Sequence, residues 1–234
     1  MREPTAVGYF LVKPSRRPDW ASESLLPAEI ISLSTCLCRQ FPGDAIDWVQ
    51  ADEARRTEAL AAIGIPEERQ RAARDWATAE FERAFGWPAV FYSARVARDL
   101  RLRFCIDDTV RVIGVAVESK RIDALLAATA PGGPNAGKAG LLEVVERGET
   151  LATSVRLGFE LLNVGYAAIG CSWLCNGLDR HCSEALGIFP NSRGLLASSE
   201  DAERCLAEIE RDEVGAEPGA WLPFLLIDVT EDDA

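Results

Sequence analysis

Thr109 to Val117 reads TVRVIGVAV, and this stretch decides what kind of fold the chain can adopt. Valine and isoleucine dominate it, and their branched side chains favour the pleated, half-buried surface of a strand. Asp107-Asp108 marks a turn just before it. A second such run lies near the end, Leu222 to Val229 (LPFLLIDV). It is apolar almost throughout, as a central or well-covered strand should be, with Pro223 close to its start. Two covered strands need helices or further strands across their faces.

Working outward, Tyr9 to Val12 is β-prone and Pro14 to Pro27 reads as a loop. Ala28 to Cys38 alternates as a strand does, with Ile31, Leu33, Thr35 and Leu37 on one side. Pro42-Gly43-Asp44 is a turn. Asp52 to Ile63 predicts a helix ended by Gly64. A second helix begins at Pro66 with Glu67 and Glu68 in its first turn, and Gly86 is its expected end. Ala73, Trp76, Ala77, Phe81, Ala84 and Phe85 make its apolar stripe. Helices are also expected over Ala94 to Arg103, Ile122 to Ala130 and Leu141 to Ala152.

Phe159 to Tyr166 reads as a strand that leads into Gly165 to Phe189, GYAAIGCSWLCNGLDRHCSEALGIF, a strand turning into a helix capped by Ser172. Leu195 to Ala197 is a short strand candidate. Ser198 with Asp201 three residues on predicts a capped helix over Ser199 to Arg211, with Ala202, Cys205, Leu206 and Ile209 inward. Strands and helices interleave without a repeat. The reading is α+β: one compact domain over residues 1–234, a mixed sheet with helices packed on it. A sub-lobe boundary falls in the Gly/Pro-rich loop 131–140 if there is one.

Composition narrows function. Thirty-seven acidic against 25 basic residues leave a net charge of −12, which disfavours nucleic acid as a ligand because phosphate binding needs a basic stripe. No apolar run approaches the roughly 20 residues of a membrane span, and the first 20 residues lack a signal-peptide core. The expectation is a cytoplasmic protein with no membrane partner. Seven cysteines in apolar contexts then read as reduced core residues.

Four patterns could carry chemistry. Gly132 to Lys138 (GGPNAGK) fits the phosphate-loop spacing, with Gly132, Gly137 and Lys138 at its key positions and Asp228 as a metal-holding carboxylate. Against it, Pro134 lacks a donor, Ala139 stands where a hydroxyl belongs, and a helix rather than a strand precedes it. Cys171, Cys175, His181 and Cys182, with Cys36 and Cys38 as further donors, could ligate zinc, although the spacing is unusual. On a helix over 172–186, Cys171, Cys175 and Cys182 share one side, which equally suits a buried face. His181, the only histidine, must serve in any Ser/His or Cys/His set, and no G-x-S-x-G elbow accompanies it. A small-molecule pocket near Trp173 and Cys175 is a further option. No catalytic set assembles from these, so no cofactor and no metal are expected and the chain reads as a binding protein rather than an enzyme.

The segments SWLCNGL (172–178), LGI (186–188), Asn191 and GLL (194–196), and EPGAWLP (217–223) resemble uncharacterised bacterial cytoplasmic domains of immunity-protein type. That resemblance covers about the last 80 residues and, taken with the negative charge, leads to the expectation of a protein that masks a basic toxin. Asp44, Asp47, Trp48, Asp52, Glu53 and Trp87 are the expected partner-binding residues, acids for complementarity and tryptophans as anchors. The alternative is a nucleotide-dependent enzyme using the loop at 132–138.

Overall fold

The computed structural model describes residues 4–17, 19, 26–34, 36–42, 52–86, 90–129, 144–147, 151, 155–165, 168–175, 177–211 and 214–231. Its centre is β7 (Arg111–Val117), which buries six of its seven residues. That cover on both faces is why the strand reads as a continuous apolar run. On one side β1 (Thr5–Val12) lies antiparallel to it, with Phe10 opposite Ile113. On the other lies β10 (Ala220–Asp228), with Leu226 opposite Val115. Along its whole length β10 also pairs with β8 (Val155–Gly165), and β8 pairs with β9 (Ala168–Ser172). Pro223 precedes Leu225, where β10 first meets β7, so its missing N–H falls outside that ladder.

Short strands complete the architecture. β2 (Ser15–Arg16) and β3 (Glu29–Ile30) form their own two-stranded sheet. β4 (Gln40–Phe41), β5 (Phe85–Gly86) and β6 (Val90–Phe91) fill the outer flank of β1. The main sheet is eight-stranded, ordered β5-β6-β1-β7-β10-β8-β9 with β4 beside β1, and every pairing is antiparallel. The fold is therefore α+β, as the sequence predicts, with a main sheet that is antiparallel in its strand pairings rather than mixed.

Two helices start where chemistry at their first turns dictates. Asp52 caps α1 (Glu53–Ala62) by accepting from Ala54 N at 2.9 Å, and Pro66 precedes α2 (Glu67–Glu80). α3 (Ala94–Phe104) packs on β1 and β7 through Ala97, Leu100 and Phe104. α4 (Ile122–Thr129) follows β7. α5 (Leu178–Leu186) leads to α6 (Ser199–Ile209), which packs on β8 and β10. Ser198 accepts from Asp201 N at 3.1 Å, and Ala202, Cys205, Leu206 and Ile209 are buried, as the capping pattern predicts.

Three local expectations change. The second helix ends at Glu80 rather than Gly86, because Phe81 already swings to an extended ψ of 136° and Glu82 then takes a left-handed φ of 66°. Phe85 therefore sits in β5, where it still stacks on Trp76 at 5.9 Å between ring centroids. The helix expected from Ser172 starts at Leu178, because a turn over 173–175 and left-handed Gly177 come first. The strand expected over Ala28 to Cys38 shrinks to Glu29–Ile30. No helix among the described residues is long and apolar enough to cross a membrane.

Candidate functional site

The lost strand explains the site. After Ile30 the chain leaves the sheet and is held by one carboxylate at the middle of β8. Glu160 is fully buried opposite Phe224. Its Oε2 accepts from the Leu33 N–H at 2.8 Å, and its Oε1 accepts from the Ser32 hydroxyl. Ser172, at the end of β9, hydrogen-bonds the same carboxyl. Ser32 Oγ also accepts from Ser34 N (2.9 Å), and Gln40 Nε2 donates to Ser32 O (3.2 Å). A buried carboxyl without such donors would cost several kcal/mol. Even so, burial pushes Glu160 up to about 7, and the three donors pull against that rise.

Glu160 thus fastens residues 32–34 across β8 and β9, and Ser34 and Cys36 come to rest beside the turn that follows β9. Ser34 Oγ lies 3.6 Å from Cys175 Sγ, and Leu37 N and Cys38 N both bond to Ser34 O to close the turn. The result is a cluster of three sulfurs. Cys36, Cys171 and Cys175 place their Sγ atoms within 4.8 Å of one another. Cys36 is exposed, and the other two are half-buried. Cys175 is set by its own turn, with its N–H on Ser172 O at 2.9 Å.

The surroundings of Cys171 and Cys175 favour their protonated forms. Partial burial and the neighbouring Glu217 carboxylate push Cys171 up to about 12. Burial also raises Cys175, although its contact with Ser34 opposes the rise. Thiols shifted upward are poor nucleophiles, since the thiolate is the reactive form. The acid beside the cluster, Glu217, raises the Cys171 thiol rather than activating it. What the cluster offers is a set of soft donor atoms.

The structure divides the expected zinc set. Cys171 and Cys175 belong to the cluster, and Cys36 joins them. His181 and Cys182 do not. Because the helix begins at Leu178, His181 turns to α6, where its Nε2 lies 2.9 Å from Glu208 Oε1, and Arg211 shares that carboxylate. Cys182 is buried against Cys205, and that contact together with burial holds its pKa far above the usual range. Cys38 is buried and donates to Ile30 O at 3.5 Å, away from the trio. Trp173 is completely buried in the core.

Other expected site residues lie apart. Asp228, at the end of β10, sits 3.9 Å from Arg111 and accepts from Thr230 N at 3.0 Å. Gly132, Gly137 and Lys138 lie outside the described residues, as do Asp44, Asp47, Trp48 and Trp87. Asp52 is the cap of α1, and Glu53 is held by Arg56 and Arg74, which keep its carboxyl below the usual range.

Glu160 and Glu217 escape the sequence reading. A lone acid inside the apolar strand FELLNVGY was the available sign for Glu160, since strands covered on both faces rarely carry a charge. Comparison with models of known families, with curated proteins and with solved structures finds no match to this chain.

Proposed function

We propose that this chain is a non-enzymatic binding protein whose ligand is a soft divalent cation, held by the thiolates of Cys36, Cys171 and Cys175. The observation that carries this reading is the mutual approach of three sulfurs, 4.8 Å at most, from two regions far apart in sequence. Tetrahedral zinc with Zn–S bonds of about 2.3 Å needs sulfurs about 3.8 Å apart, so a small contraction completes the trio. Each thiol gives up its proton to solvent as its S–metal bond forms. Thiolates select zinc or cadmium over magnesium or calcium. A cation placed among them offsets the mutual repulsion of neighbouring thiolates.

Cobalt(II) titration tests it. The purified, reduced protein should develop thiolate-to-metal charge-transfer absorption at one equivalent, and the variant C36S/C171S/C175S should not. Equal absorption in the two proteins removes the proposal.

A net charge of −12 favours a second reading, in which the protein masks a basic partner of toxin type. Complementary charge of this kind raises the association rate at low salt. Under this reading, a basic protein partner is bound at low ionic strength and released as salt rises. Binding indifferent to salt would contradict it.

A further inference from the structure

Cys36 is the exposed member of the chain's seven cysteines, and the other six are buried or half-buried. Exposure decides which thiol an oxidant in solution meets first. Two further sulfurs lie within 4.8 Å of it, those of Cys171 and Cys175, and all three residues are free thiols. An exposed thiol with partners at that range is one two-electron step from a disulfide.

The backbone singles out one partner. Cys171 belongs to β9, where the neighbouring Ser172 pairs with Leu162 of β8. Cys175 stands on the turn beyond that strand, and its Sγ lies 3.6 Å from Ser34 Oγ, on the segment that carries Cys36. Leu37 N and Cys38 N both close on Ser34 O, at 3.0 and 3.1 Å. The turn bearing Cys36 is therefore anchored on the residue that meets Cys175. A disulfide needs its two sulfurs at about 2.05 Å. Because Cys36 faces solvent, its side chain and turn can swing to that distance without unpacking the core.

We propose that Cys36 and Cys175 form a reversible disulfide, closed by peroxides and opened by dithiols, and that its closure switches off the cation site of the same cluster. The Cys36 thiolate attacks one oxygen of hydrogen peroxide. An S–O bond forms, the O–O bond breaks, and the second oxygen leaves as hydroxide, which takes up the Cys36 proton to give water. Cys175 then attacks the sulfenic acid on Cys36. The S–S bond forms, the S–O bond breaks, and the oxygen leaves as water with the Cys175 proton. The pair of thiols is oxidised by two electrons and the peroxide is reduced to two waters. A thiol held beside the sulfenic acid needs far less reactivity than one that must meet peroxide in solution, which suits the half-buried Cys175. Exchange with a dithiol restores both thiols. Closure removes two of three metal-binding thiolates, and this switching rests on the three-thiolate reading above. The disulfide itself does not.

Peroxide treatment of the full chain, followed by alkylation of the remaining thiols and peptide mapping, tests both halves. Metal-free, reduced wild type should lose two free thiols, with the Cys36 and Cys175 peptides joined, and dithiothreitol should restore them. Cys171→Ser should form the same link, and Cys36→Ser should keep every thiol over the same exposure. Linkage of Cys171 to either neighbour, chain-to-chain disulfides through Cys36, or a wild type that keeps all its thiols would overturn the pair. Zinc-loaded wild type should close at least about tenfold more slowly, since only the empty site offers both sulfurs. Equal rates with and without bound zinc would overturn the switch. A protein that closes the pair but takes up no cobalt loses the metal reading and the switch and keeps the disulfide. One that takes up cobalt but closes no pair loses this inference alone.

Discussion

The hydroxyl of Ser34 and the thiol of Cys175 lie 3.6 Å apart although 141 positions separate them in the chain. One buried acid makes that meeting possible. Glu160 draws Ser32 and Leu33 onto β8, and the next residues then fall beside the turn that follows β9. The cluster of thiols is a product of this cross-link.

Glu160 should give stability an inverse dependence on pH. Its carboxyl holds a proton up to about 7 in the folded chain, against an ordinary 4.5. Between those values the folded state binds more protons than the unfolded one, so stability falls as pH rises through that window. The full difference is on the order of 3 kcal/mol. Denaturant unfolding of metal-free protein at pH 5 and pH 8 measures it, and Glu160→Gln should flatten the difference. A stability that rises from pH 5 to 8, with the same slope in the variant, contradicts this assignment.

The cysteines should separate into two classes. Cys36 is exposed, so Cys36→Ser should leave metal-free stability within about 0.5 kcal/mol of wild type while abolishing high-affinity metal uptake. Cys182 is buried against Cys205, so Cys182→Ser should destabilise by about 1–3 kcal/mol and leave uptake unchanged. Urea unfolding paired with metal titration distinguishes them, and a shared phenotype would be the adverse result.

Gly219 is required by the close approach of its backbone to Asn163. Gly219→Ala places a methyl 2.1 Å from Asn163 Oδ1, so the loop carrying Glu217 must lift. The expected cost is about 1–3 kcal/mol, read by denaturant unfolding. Unchanged stability would show that the loop is not pinned there.

Much of the frame was legible because it depends on local chemistry. Arg111–Val117 and Ala220–Asp228 announce themselves as covered strands, and Ser198 marks its helix. The start of α5 was not legible: the turn at Trp173 and the left-handed Gly177 displace it by more than a turn, which redirects His181 and Cys182. Nor was the end of β3, since Ser32 and Leu33 leave the strand for a partner more than 120 positions away. Cys36 reaches the site by the same long-range route, so no spacing in the sequence could select it over Cys38.

Native mass spectrometry after equilibration with zinc and removal of the excess tests the central claim most directly. The account predicts one retained zinc ion per chain in wild type and none in C36S/C171S/C175S. A wild-type chain that retains no zinc, or a triple variant that retains as much as wild type, contradicts it.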